Sequence, residues 1–308
     1  MDIFYKYTKN FGADYFLRPT VKISNPKFLN DPFESEIGDN LVQYVASILK
    51  ITDTDEIDGL KKTFNDVLKA NGVFSVSETS RNSLMWSHYG DEHRGLCIGL
   101  NKELFNDAVK PTQSIHRLAE YIPKKVSYDN YRFDRNYISK SGYNLTDYLK
   151  EHFLTKSDYW IYEKEYRCIV PFSCSTSFIV NKDSEYQYSN VDPSVSIDDL
   201  ISNWKEKEKI KINERSEYVL RGDDKYQATS ILSTFGCVSF LYNIDPKHIY
   251  SIHAGVRFKD QDLKDLYLMI TENPTLSHIK IYRFKLSDKR FEILPEVVDA
   301  EYIARLTS

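Results

Sequence analysis

Hydrophobic and polar positions divide the chain into short alternating runs and a few longer periodic ones. Residues 3–8 alternate as a strand does, and Val21-Lys22-Ile23-Ser24 alternates again before Asn25-Pro26 breaks it. This predicts a strand pair at the start of the fold. Ile57, Leu60, Phe64, Val67 and Leu68 recur at helical spacing, and Asn71-Gly72 closes that run in the way a left-handed cap does. Residues 73–77 and 95–100 read as buried strands flanking a tryptophan-histidine stretch. A helix is predicted over 143–157, leading into 166–170, whose apolar and β-branched content suits a central strand. Further on, residues 230–241 and 248–254 read as strands, and Leu263, Leu266, Tyr267 and Ile270 form the apolar stripe of a helix. Residues 278–286 and 290–294 make a closing hairpin. Strands and helices neither alternate as βαβ units nor segregate, so the expected class is α+β, with a mixed or antiparallel central sheet flanked by helices.

One stretch breaks the pattern. Residues 181–226 are rich in Asp, Glu, Lys, Asn and Ser, with the mixed charge run Lys205-Glu206-Lys207-Glu208-Lys209. They read as a charged insertion or surface excursion on a single domain spanning 1–308, a length at the upper edge of what one core supports. No apolar run approaches the roughly 20 residues that span a bilayer. The start, Met1-Asp2-Ile3-Phe4-Tyr5-Lys6-Tyr7, lacks the marks of a secretion signal, which places the chain in the cytoplasm with no membrane partner. Four scattered cysteines, Cys97, Cys168, Cys174 and Cys237, show no zinc spacing and read as reduced, mostly buried thiols. A net charge of -4 argues against duplex nucleic acid as a partner. The 23 tyrosines favour a ligand pocket, because each offers a stacking face with a hydrogen-bonding tip.

Three motifs carry candidate chemistry. In Asn30-Asp31-Pro32-Phe33-Glu34 a turn-forming pair meets a proline that fixes φ. Either this is a rigid turn with Phe33 plugging the core, or Asn30, Asp31 and Glu34 point into a pocket. The stretch from Met85 to Gly95 packs Trp86, Ser87, His88, Tyr89, Asp91, Glu92, His93 and Arg94 together. His88 is either a satisfied structural histidine or a group that orients a ligand or shuttles a proton, with Trp86 or Tyr89 as a stacking face. His88 and His93 are not at the spacing that places two imidazoles on one helical face, so no metal is assigned. In Tyr162-Glu163-Lys164-Glu165-Tyr166-Arg167, acids at i and i+2 share a face if the run is a strand, with Arg167 on the same side. They form a structural ion pair, or one holds a substrate hydroxyl while the other positions a nucleophile.

Taken in order, these motifs resemble the uncharacterised bacterial family called domain of unknown function twenty-nine seventy-one. The likeness includes Tyr5-Lys6-Tyr7, the Asn30–Glu34 motif, Phe74-Ser75-Val76-Ser77-Glu78 running into Leu84-Met85-Trp86-Ser87-His88-Tyr89, and Tyr162–Arg167, and it extends through Ile249-Tyr250-Ser251-Ile252-His253-Ala254-Gly255-Val256 to the final hairpin. The chain also resembles ADP-ribosyltransferase-like folds. That second likeness implies that Lys6 or Tyr7 holds the ribose or adenosine end of NAD, that Ser75 or Ser77 with Tyr89 lines the nicotinamide pocket, and that Glu165 or Glu163 is the catalytic acid. Lys6 departs from the His or Arg of that superfamily, and lysine lacks arginine's bidentate reach. The leading expectation is therefore an enzyme of transferase or glycohydrolase type that cleaves the nicotinamide-ribose bond of NAD as substrate, with no prosthetic group. Glu165, Glu163 and His88 are its catalytic candidates, and Lys6, Tyr7, Asn30, Asp31, Glu34, Ser75, Ser77, Trp86, Tyr89 and Arg167 its substrate-binding ones. A second expectation is a non-catalytic sensor of a phage-defence system that binds a small nucleotide or a protein partner. A third is a metal-dependent nuclease with His88, Asp91 and Glu163 as ligands.

Overall fold

The computed structural model describes residues 2–106, 118–133, 144–222 and 224–306. The N-terminal run forms β1 (Ile3–Thr8) and β2 (Thr20–Ile23). Two amphipathic helices, α1 (Asp39–Leu49) and α2 (Thr54–Ala70), lead into β3 (Asn71–Ser77), then α3 (Ser83–Tyr89) and β4 (Leu96–Asn101). β5 (Glu120–Lys125), β6 (Ser127–Asp129), α4 (Leu145–Leu154), β7 (Thr155–Ser157), β8 (Glu165–Pro171) and β9 (Ser177–Val180) follow. α5 (Ile197–Glu206), β10 (Ile210–Ile212), β11 (Tyr218–Leu220), α6 (Lys225–Leu232), β12 (Val238–Asn243) and β13 (Ile249–Ala254) come next. The chain closes with α7 (Asp260–Glu272), β14 (Lys280–Leu286), β15 (Ile293–Val297) and α8 (Ala300–Arg305).

Among the described residues the class is α+β, as expected. An eight-stranded sheet runs in the order β15-β14-β13-β4-β1-β3-β8-β5, and a five-stranded sheet in the order β10-β11-β9-β12-β2. The larger sheet is mixed, because β13 and β14 are parallel and its other pairs antiparallel. Its inner face supplies Phe74, Val76, Ile98, Cys168 and Val170 to the main core, which is completed by Val21, Phe178 and Phe240 of the smaller sheet and by Leu263, Leu266 and Ile270 of α7. Its outer face carries two separate apolar patches. Val73 and Ile169 pack under α1, α2 and α4, whereas Tyr7, Cys97 and Phe284 pack under Met85 and Trp86 of α3.

Several local expectations change. Asn71 has φ −124° and opens β3, so no left-handed cap ends α2. Gly72 is a glycine for space instead, since a Cβ there would lie 2.5 Å from Ile23 Cγ2 and from Phe172 Cε1. Residues 230–232 belong to α6 rather than to a strand. The helix expected over 143–157 is α4, with residue 143 outside the described residues and 155–157 forming β7. Across 181–226 the chain forms α5, β10 and β11, and Ile197, Ile201, Trp204 and Ile210 are buried in the main core. Cys97, Cys168 and Cys237 are buried free thiols, and Cys174 is partly buried. No helix among the described residues is long and apolar enough to cross a membrane.

The two glycines on either side of this packing make a direct comparison. Gly72→Ala forces Ile23 and Phe172 apart and is expected to cost about 1–3 kcal/mol in denaturant unfolding. Gly59→Ala, on an exposed turn of α2 where a Cβ meets nothing within 4 Å, is expected to gain about 0.5–1 kcal/mol.

Candidate functional site

β3 and β8 pair antiparallel with Val73 opposite Ile169, Ser75 opposite Arg167 and Ser77 opposite Glu165. Because strand side chains alternate with period two, these six residues share the outer face. That face is apolar where it meets α2 and α4 and becomes polar toward the other end of the strands. Next to it lies a seam. β1 is laddered to β4 from Ile3 to Thr8, yet it pairs with β3 only at Tyr5 opposite Ser77. Side chains cross the gap where ladder bonds stop: Lys6 Nζ donates to Ser75 O at 2.8 Å, and Tyr7 OH donates to Thr79 O at 2.8 Å. A cavity of about 290 Å³ opens at this seam.

The cavity is floored by a buried charge network. Arg167, 2% exposed, grips Glu165 bidentately, Nε to Oε1 at 2.8 Å and Nη2 to Oε2 at 2.9 Å. Its Nη1 donates to Phe153 O at 2.8 Å and pairs with Glu34 Oε2 at 2.7 Å. Lys156 stands at the centre of three carboxylates, 2.7 Å from Glu163 Oε2, 3.5 Å from Glu165 Oε2 and 3.7 Å from Glu34 Oε1, with its ammonium over the Trp160 ring. Tyr89 OH donates to Glu163 Oε1 at 2.6 Å, and Ser77 Oγ donates to the Glu163 carbonyl at 2.8 Å.

Opposing effects set the protonation states. Burial acts to raise the Glu165 carboxyl, but Arg167 and Lys156 outweigh it and hold Glu165 below the usual carboxylate range. Burial wins at Glu34, which is raised despite Arg167 and Lys156. Burial also acts against the Lys156 ammonium, and Glu165, Glu163 and Glu34 together overcome it, so its pKa is raised. Lys6 gains too little from its distant acids, and burial pushes it down to about 8. The Tyr89 phenol is raised by burial and by its bond to Glu163.

The sequence-predicted residues divide sharply. Lys6, Tyr7, Asn30, Glu34, Ser75, Ser77, Tyr89, Glu163, Glu165 and Arg167 all line the cavity. Asn30 reaches it through Nδ2, 3.4 Å from Tyr89 OH. His88 does not line it; the side chain is exposed at the surface, its ring 6.1 Å from that of Tyr162. Trp86 is wholly buried, its Nε1 donating to Ser80 O at 2.8 Å, so it offers no stacking face. Asp31 lies under the turn and caps it, accepting from Phe33 N at 3.0 Å. Phe33 is not a core plug: the turn over Pro32–Glu34 buries Glu34 toward Arg167 and leaves Phe33 exposed beneath the Arg132 guanidinium.

The glutamate pair also meets by a different route from strand alternation. Glu163 ends a 3-10 helix over Asp158–Glu163, and Lys164, with φ 47°, turns the chain before Glu165 starts β8. Lys156, rather than a shared strand face, brings the two carboxylates together. Lys156 was missed in the sequence, where no local signal separates it from an ordinary surface lysine. Among the described residues no group of three or more His, Cys, Asp and Glu is arranged to hold a metal, so His88, Asp91 and Glu163 are not assembled as ligands.

Lys6 gives a pH test with a defined sign. Its folded pKa of about 8 lies below the ordinary 10.5, so between these values the unfolded chain binds a proton that the folded one does not. Folding stability from this group therefore rises with pH across that window and is lowest below about 8. Subtracting the stability curve of Lys6→Met from that of the wild type is expected to leave that rise. A flat difference in urea unfolding between pH 7 and 10 would show that burial does not depress Lys6.

No curated protein and no solved structure matches the chain. Residues 85–168 match a family, and that span contains the Met85–Gly90 and Tyr162–Arg167 motifs, with the Asn30–Glu34 turn outside it. The family it matches over those residues is described as protein of unknown function (DUF2971), the one the motifs resemble.

Proposed function

We propose that the chain is an enzyme that cleaves the bond between nicotinamide and ribose in NAD, passing ADP-ribose to an acceptor or to water. One observation carries this: three neighbouring strands deliver Lys6 from β1, Ser75 and Ser77 from β3, and Glu165 from β8 to a single cavity that the Glu163 carboxylate also reaches. The cavity, about 290 Å³, suits the nicotinamide-ribose half of a dinucleotide. When the C–N bond breaks, its electron pair leaves with nicotinamide, which becomes neutral, and positive charge develops on the ribose. Carboxylates fixed in advance by Arg167, Lys156 and Tyr89 stabilise that charge without reorganising. Glu163 is the acting carboxylate and base, because Glu165 is committed to two nitrogens of the Arg167 fork. It then takes the proton of the attacking hydroxyl or water as the new C–O bond forms.

A second reading has an observation of its own. All four carboxylate oxygens of Glu163 and Glu165 already accept from protein donors, which suits a preformed nucleotide-binding site without turnover. Both are decided by incubating the chain with NAD and following free nicotinamide. Release by the wild type that falls about 10²–10⁴-fold in Glu163→Gln supports cleavage. Equal background release from the two proteins sinks it, and a rise in Tm on adding NAD would then leave the binding reading standing.

A further inference from the structure

The cavity at the seam lies where two strands part from β3. Val73 is bridged to Ser24, just after β2, through Val73 N to Ser24 O at 2.8 Å and Ser24 N to Val73 O at 2.9 Å. Four residues on, Ser77 is paired with Tyr5 of β1. β2 runs into the five-stranded sheet and β1 into the eight-stranded one, so between those two bridges the edge of β3 has no strand partner on that side. Strand backbones repeat every second residue, so Ser75, midway between the bridges, presents its N–H and C=O to this fork. The Lys6 ammonium takes the carbonyl at 2.8 Å.

Two cations line the cavity at the fork, Lys6 from β1 and Lys22 from β2. They differ from the other charges there. Glu34, Glu163 and Glu165 are all held by Lys156 or Arg167, whereas Lys6 and Lys22 join no ion pair among the described residues. Burial acts against the charge of both, and Lys22 adds its own repulsion at Lys6. At about 8, the pKa of Lys6 still leaves it mostly protonated at neutral pH. Lys6 commits one of its three N–H bonds to Ser75 O, and Lys22 is exposed, so both ammonium groups keep donors to offer. Glu165 and Arg167 lie on the outer face of the larger sheet, while Lys22 comes from the smaller one, so the cavity has an acidic side and a basic side. Like charges without a counter-ion disfavour each other, and an anion between them removes that cost.

We infer that Lys6 and Lys22 form a phosphate subsite at the fork, so that the guest of this cavity is a phosphorylated small molecule whose uncharged part turns toward Glu163 and Glu165. Lysine suits this role as a point charge, with donors that rotate to meet several phosphate oxygens. The inference rests on the cleavage reading only in taking this cavity as the ligand site. It supplies the chemistry of the guest's other end, and it holds equally for a nucleotide bound without turnover.

Isothermal titration of the full chain with inorganic pyrophosphate, in metal-free buffer at constant ionic strength, tests it. The wild type is expected to bind, and to bind citrate, a carboxylate of similar charge, more weakly. Lys22→Gln, at an exposed position of β2, is expected to weaken pyrophosphate binding about fivefold or more, and Lys6→Met about tenfold or more. Lys62→Gln removes the same charge from an exposed position of α2 outside the cavity and is expected to bind as the wild type does. The inference is overturned if the wild type does not bind, if citrate binds as tightly, if either folded variant of the two cavity lysines keeps full affinity, or if Lys62→Gln loses as much as Lys22→Gln. Pyrophosphate binding that follows Lys6 and Lys22 in a protein that releases no nicotinamide supports the subsite and removes the cleavage reading alone. Nicotinamide release without pyrophosphate binding removes the subsite alone.

Discussion

The Arg167 guanidinium holds together parts of the chain that nothing else in this region joins so tightly. From the middle of β8 it reaches Glu165 on its own strand, Glu34 in the N-terminal turn and the Phe153 carbonyl near the end of α4. At 2% exposure none of these contacts is shared with bulk water, so each must be satisfied within the protein. A planar fork with five donors can meet two carboxylates and a carbonyl at once, and lysine cannot. The turn over Pro32–Glu34 sits where it does because Glu34 has this partner, and with the turn come Asn30, Asp31 and one wall of the cavity. Removing one member of such a network leaves others buried and uncompensated, which is why its cost exceeds that of any single contact.

The seam between β1 and β3 is the second constraint, and it follows from what the strands carry. On either side of it β1–β4 and β3–β8 are zipped by continuous ladders, and the sheet's faces alternate between the main core and an outer apolar patch. At the seam the ladder shrinks to the pair of Tyr5 and Ser77, and Lys6 and Tyr7 span the gap with their own side chains. A lysine ammonium donating to a strand carbonyl replaces a backbone bond while leaving room beside it. The cost appears in Lys6 itself, whose ammonium is destabilised by burial. A sheet built for stability alone would close this gap. Here it leaves a cavity beside the central strands.

Much of this was legible in the sequence because the signals were local. The period-two runs at 3–8 and 73–77 and the helical spacing around Phe64 depend only on neighbours in the chain, and they gave β1, β3 and α2. What failed needed distant information. Gly72 looked like a cap because its close neighbours, Ile23 and Phe172, lie far off in sequence. His88 stood out for its chemistry, yet the short α3 helix turns Met85 and Trp86 inward and leaves His88 outside. Phe33 was a candidate core plug because phenylalanine is apolar, but Glu34 is the residue that the turn buries, against Arg167. Lys156 was invisible because a lone lysine is normally a surface residue, and only the three folded-in glutamates make it central.

The charge balance of the cavity explains why so expensive a network persists. Glu34, Glu163 and Glu165 face Lys6, Lys22, Lys156 and Arg167, three acids against four bases, so opposite charges largely offset one another in its lining. Buried ion networks of this kind are often no better for stability than apolar packing, so stability alone is a weak reason to keep one. Their distinct property is fixed dipoles in a dry place, which act most strongly on a guest whose charge changes during binding or reaction. The hydrogen bonds within the network are unequal in this respect. Glu165 is held by two nitrogens of one rigid group, whereas Glu163 is held by two separate donors, the Tyr89 phenol and the buried Lys156 ammonium. The network therefore holds its two acids by different means, Glu165 through one rigid fork and Glu163 through two groups from separate parts of the chain.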